Sequence, residues 1–151
     1  MFKDSLAFLP SSLDSLVKST KYSNKKLNEN LEDNFKITKK NNDYIKSNND
    51  LHLLTDKGIY PYDWVDDIEK FKIEQLPHRS VFYSKLSEKD ISKEDYEKAK
   101  HIWNYFNIQN FGEYHNLYLK TDVLLLADIF ENFRNKSMKT YGLDPAHYYT
   151  S

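Results

Sequence analysis

Apolar positions recur with helical spacing in the last third of the chain and thin out elsewhere. The run Tyr118-Leu119-Lys120-Thr121-Asp122-Val123-Leu124-Leu125-Leu126-Ala127-Asp128-Ile129-Phe130-Glu131-Asn132-Phe133 is the longest such segment. Turned at about 100° per residue with Tyr118 as zero, it gathers Leu119, Val123, Leu125, Leu126, Ile129, Phe130 and Phe133 into an arc from roughly −20° to 140°. Lys120, Asp128 and Glu131 fall between roughly 200° and 280°, where the pattern predicts a solvated face. Asp122 falls at roughly 40°, inside the apolar arc. A carboxylate so placed must be paired, protonated or bound to a cation, because burying it alone is costly. Tyr118 stands one turn earlier on the same face.

This helix is expected from about Gly112 to Tyr141, opened by Asn110 with Glu113 three residues on, and closed by Gly142 and Pro145. Ser92, with Asp95 three residues on, predicts the cap of a second helix carrying Tyr96, Ala99, Ile102, Trp103 and Phe106. Ser11 and Ser12 precede a short amphipathic helix through Leu13, Leu16 and Val17. Before them, residues 1 to 10 read as a short strand stopped by Pro10. Residues 19 to 50 are dominated by Lys, Asn, Asp and Glu, with Leu27, Leu31, Phe35 and Ile37 scattered among them; the spacing of four from Leu27 to Leu31 to Phe35 permits a weak helix, but the composition predicts a polar, mobile insertion. Gly58 then breaks the chain ahead of Ile59-Tyr60-Pro61-Tyr62-Asp63-Trp64, an extended loop since the residue before Pro avoids the helical region. Asp63 is expected to cap a helix through Val65, Ile68 and Phe71. The rings of Tyr60, Tyr62 and Trp64 serve either to anchor this loop on a core or to stack on bases.

Composition narrows the classes. At 151 residues the chain is long enough for a core of its own, but 39% hydrophobic against 30% charged residues makes that core modest and reliant on aromatic rings. A net charge of −1 supplies no general basic field for a phosphate backbone. With no Cys there are no disulfides and no thiolate metal sites, which fits a reducing, intracellular setting, nucleus or mitochondrion included. No apolar run reaches the ~18 residues of a membrane span, and no signal peptide is visible.

Two-metal phosphodiester chemistry needs several carboxylates converging on ions roughly 3.5–4 Å apart. Asp67-Ile68-Glu69 and Asp95-Tyr96-Glu97 match the letters of an Asp-x-Glu ligand pair. Neither lies in an apolar strand, and on a helix the two acids would point roughly 200° apart. The five His residues, His52, His78, His101, His115 and His147, have no metal-ligand spacing. On residues alone, Asp122 is thus either a paired helix acid or one ligand of a larger site.

The pentapeptide Tyr118-Leu119-Lys120-Thr121-Asp122 resembles the Tyr-x-x-x-Asp third exonuclease motif of family B DNA polymerases. The blocks Phe8 to Leu16, Lys57 to Asp63, Phe82 to Leu86 and Tyr141 to Ser151 resemble, in this order, the protein-primed branch found in viruses, linear plasmids and self-synthesising DNA transposons. The resemblance implies a DNA-directed DNA polymerase, a nucleotidyltransferase with a 3′–5′ proofreading exonuclease domain of ribonuclease-H-like fold. It implies DNA as partner and Mg²⁺ as cofactor, with Asp122 as metal ligand and Tyr118 as the group that orients the attacking water. In that family the first two exonuclease motifs precede the segment resembling residues 1 to 20, and the polymerase motifs follow this region. The chain is therefore expected to be a middle slice, inactive alone, with the rest of the polymerase missing.

The expected architecture is mainly α with a short N-terminal strand, an incomplete ribonuclease-H-like (α/β) exonuclease domain. Residues 1–18 would supply its strand and short helix, 19–50 the insertion, 51–142 its helical end, and 143–151 the start of a connection to an absent polymerase domain. The alternative is a non-catalytic helical interaction module in which Asp122 is a paired structural acid.

Overall fold

The computed structural model describes residues 9–23, 31–56 and 58–147. Most of the expected N-terminal strand, residues 1–8, lies outside them. Among the described residues the chain is mainly helical, with no strand and no sheet; the lone antiparallel bridge joins Ser84 to Lys89. The described residues hold six α-helices in order: α1 Leu13–Ser23, α2 Leu31–Asn34, α3 Lys36–Asn41, α4 Asn48–Leu54, α5 Lys93–Tyr105 and α6 Phe111–Tyr141. The chain divides into two compact units, one comprising Met1–Asp56 with Asp122–Ser151, the other Lys57–Thr121. Helix α6 contributes its first three turns to the second unit and the remainder to the first.

In the first unit α1, α3 and α4 are each capped at their N-terminus. Ser12 Oγ accepts from Ser15 N at 3.3 Å at the start of α1. A full capping box opens α4: Asp50 N donates to Ser47 Oγ at 3.2 Å and Ser47 N donates back to Asp50 Oδ2 at 2.7 Å. Helix α3 has Phe35 at its cap position, a residue with no oxygen to offer, so its cap comes from α6. The Asp128 carboxylate accepts from Ile37 N at 2.8 Å, from Thr38 N at 2.7 Å and from Thr38 Oγ1 at 2.6 Å. One turn on, Asn132 Nδ2 donates to Asn34 O at 2.9 Å. Around this junction Val17, Phe35, Ile45, Leu51, Leu54, Leu125 and Ile129 are buried. Residues 31–50, read from composition as a polar insertion, thus contain helices α2 and α3 and the start of α4, with Thr38 of α3 and the flanking Phe35 and Asn42 buried.

The phase of α6 differs from the one its apolar letters predict. Phe111, Tyr114, Leu117, Thr121, Leu125, Asp128 and Ile129 are buried, while Leu119 is 50% and Val123 59% exposed. The buried stripe centres at roughly −40° on the same wheel, about 100° from the centre of the expected arc. Asp128, expected in solvent, is 4% exposed. The reason is physical: a carboxylate that satisfies three donors can occupy a buried position, so its polarity did not mark a wet face.

The second unit is organised by rings. Ile59, Phe82, Ala99, Ile108, Phe111, Tyr114 and Leu117 are buried. Helix α5 starts at the expected Ser92, whose Oγ accepts from Asp95 N at 3.0 Å. Asn107 takes a left-handed φ of 51° in the turn to α6, which Asn110 opens by accepting from Glu113 N at 3.0 Å. Asp63 does not cap a helix; its carboxylate accepts from Lys85 N at 2.8 Å. The helix expected after it is a short 3-10 turn, Ile68–Lys72, capped by Asp67. At the far end of α6, Gly142 has the left-handed φ of 67° that stops the helix.

Candidate functional site

Tyr118 sits in a cage of aromatic side chains within the second unit. The loop after Gly58 is tied to α6 by Tyr114, whose hydroxyl donates to Ile59 O at 2.6 Å across 55 residues of sequence. Burial pushes the Tyr114 phenol well up from its ordinary pKa, so it remains a donor at any working pH. With Ile59 held, Tyr60 lies against Tyr118, ring centroids 4.7 Å apart and planes inclined by 23°. Tyr60 Oη also meets His115 Nδ1 at 2.6 Å. Burial, and secondarily the neighbouring Tyr62, push the Tyr60 phenol up to about 12. Tyr62 stands edge-on to Tyr118 at 6.0 Å and 83°, and the two hydroxyls are hydrogen-bonded.

Gly58 makes this approach possible. A Cβ there would lie 2.5 Å from Tyr118 Cε2 and 3.0 Å from Cδ2, too close for any side chain without moving the ring.

Asp122 follows Tyr118 by one helical turn and is half-buried, on the flank of the buried stripe and not at its centre. The helix brings these two predicted residues onto adjacent turns of one face. Among the described residues no group of three or more His, Asp or Glu side chains is arranged to hold a metal ion. The described residues therefore do not form, by themselves, the multi-carboxylate site that a Mg²⁺ pair requires. The two Asp-x-Glu sequences are spent on local contacts: Asp67 accepts from Glu69 N, Glu69 pairs with Lys72, Asp95 with Lys98 and Glu97 with Lys100.

Sequence reasoning missed the deeply buried acid, Asp128, because its partners lie 90 residues away. The one local signal was Phe35, an incompetent cap ahead of Lys36-Ile37-Thr38, which called for an acceptor from elsewhere. No helix among the described residues is long and apolar enough to cross a membrane. No protein-family model, curated protein or solved structure matches the chain.

Proposed function

We propose that this chain is a segment of a protein-primed family B DNA polymerase, drawn from the end of its 3′–5′ exonuclease domain. What carries the reading is the meeting of two separate blocks of the resemblance: Tyr118 of the third exonuclease motif packs on Gly58, Tyr60 and Tyr62 of the block before it. In this reading the helices belong to a ribonuclease-H-like domain whose sheet comes from other segments, and DNA is the partner of the longer protein. Asp122 is one ligand for Mg²⁺ there, with the other carboxylates supplied from outside this chain. Tyr118 orients the attacking water.

The experiment is a single substitution in the longer polymerase. Asp122→Ala should bring Mg²⁺-dependent degradation of a 3′ single-stranded end to background while DNA synthesis continues. Unchanged proofreading would show that Asp122 is misassigned. The isolated 151-residue chain should leave single-stranded DNA intact in the presence of Mg²⁺.

A second reading, a non-catalytic helical interaction module, is favoured by the exposed Leu119 and Val123 on α6. The genomic reading frame separates the two. Codons for an Asp-x-Glu strand upstream and polymerase motifs downstream belong to the polymerase alone.

A further inference from the structure

We infer that Tyr62 is the positioning residue for the Tyr118 hydroxyl, holding it through a hydroxyl–hydroxyl hydrogen bond. The role rests on the exonuclease reading of Tyr118 and adds to it a residue outside the Tyr-x-x-x-Asp motif.

A phenol that orients water must be fixed in three respects: the place of its ring, the plane of its ring and the rotation of its O–H. The first two are set by packing. Gly58 offers its bare backbone to one edge of the Tyr118 ring, where a Cβ would come to 2.5 Å. Tyr60 covers a face at 4.7 Å. Both are contacts to the ring. A phenolic O–H both donates and accepts, so packing alone leaves its rotor undecided. The Tyr62 hydroxyl, bonded to that of Tyr118, occupies one of its hydrogen-bonding directions and so narrows those left for water.

The exposure of Tyr62 separates this role from simple anchoring. Its side chain is 67% exposed, so its ring contributes little to a core. Its ring contacts are edge-on, to Tyr60 at 5.1 Å and 68° and to Tyr118 at 6.0 Å and 83°. Between Tyr60 and Tyr62, Pro61 is almost wholly buried and has a fixed φ, so the loop presents the two tyrosines in a set relation. An exposed ring carried on a buried proline and hydrogen-bonded at its tip is a hydrogen-bonding device first and an apolar anchor second. Small errors in the placement of such a group are expensive, since catalysis by orientation depends on near-attack geometry.

The test compares Tyr62→Phe, Tyr62→Ala and Asp122→Ala in the longer polymerase, with Mg²⁺ and a single-stranded oligonucleotide as the probe. Tyr62→Phe should lower exonuclease kcat by about 3- to 10-fold with KM within about twofold, the effect of one net hydrogen bond acting after substrate has bound. Synthesis should be unaffected. In the 151-residue chain labelled with ¹³Cζ-tyrosine, Tyr62→Phe should move the Tyr118 resonance while the circular dichroism melt stays that of the parent. An unchanged kcat in Tyr62→Phe alongside an inactive Asp122→Ala would overturn the positioning role and leave the exonuclease reading standing. Full proofreading in Asp122→Ala would overturn both. An equal rise in KM with kcat preserved would also overturn it, by making Tyr62 a substrate contact.

Discussion

Asp128 holds three donors with two oxygens at a helix start whose own cap residue, Phe35, offers no side-chain acceptor. Ile37 N, Thr38 N and Thr38 Oγ1 all lie within 2.8 Å of its carboxylate, and Asp128 and Thr38 are buried. The free first-turn N–H groups of α3 carry the positive end of the helix dipole, so an anion there is favoured twice, by hydrogen bonding and by charge. Asp128→Ala should therefore leave buried donors unsatisfied and lower stability by about 2–4 kcal/mol. Asp128→Asn keeps one acceptor oxygen and turns an amide toward N–H donors, so it should lose a similar amount and not recover the parent's midpoint. Urea titration of the three proteins measures this. Asp122→Ala is the contrast: half-buried and on the flank of the stripe, it should cost no more than about 1 kcal/mol. The expected difference follows burial, with Asp128 at 4% exposure and Asp122 half-buried on the same helix. A midpoint more sensitive to Asp122 than to Asp128 would overturn that expectation.

At the level of the element, what the sequence disclosed was the ends of helices and not their phase. Ser92, Asn110 and Gly142 act on amides or carbonyls within a turn of themselves, so their spacing is sufficient to place α5 and α6. Phase depends on what lies across from a helix, and the 118–133 window omitted Phe111, Tyr114 and Leu117 while counting Asp128 as wet. The candidate site was legible in its letters, Tyr118 and Asp122 and the block from Lys57 to Asp63, but no local rule said that Tyr118 would meet Gly58. Near its C-terminal end α6 makes a more local contact. Arg134 Nε donates to Asp144 Oδ1 at 2.9 Å and its Nη2 to Asp144 Oδ2, while Ala146 N donates to Oδ1 at 3.0 Å. The guanidinium first, and then the Ala146 amide, hold the Asp144 carboxyl well below the usual carboxylate range. A carboxyl depressed in the folded state stabilises it fully above the unfolded-state value, and that contribution drains away as pH falls toward the folded one. Asp144→Asn should accordingly melt below the parent by a constant interval at pH 7 and pH 5, with the interval closing only below about pH 4. Thermal melts across that range decide it, and an interval already closed at pH 5 would mean the pair is not formed in solution.

On the scale of the molecule, the division into two units gives each its own core and its own share of α6. Phe35, Leu51, Leu125 and Ile129 serve one; Phe82, Ala99, Phe111 and Tyr114 serve the other. The Tyr118 cage, built from Gly58, Tyr60 and Tyr62 with His115 bonded to Tyr60, draws wholly on the second unit, whereas Asp122 is counted with the first. Opening of a folded chain proceeds in cooperative pieces that follow such cores. A lesion at Asp128 should therefore raise amide hydrogen exchange through residues 31–54 and 122–141 while the amides of Ala99, Ile108 and Tyr114 keep the parent's protection. The Tyr118 ring environment should persist under the same lesion, since none of the groups that clamp it belongs to the weakened core. Exchange measured by mass spectrometry on the Asp128→Ala chain reads both halves of the statement at once. A uniform loss of protection along the chain would mean that the two cores melt as one, and the tyrosine cage would then depend on the distant α3 cap as much as on its own contacts. Separate protection would make the cage a self-supporting part of the second unit, held by its own contacts alone.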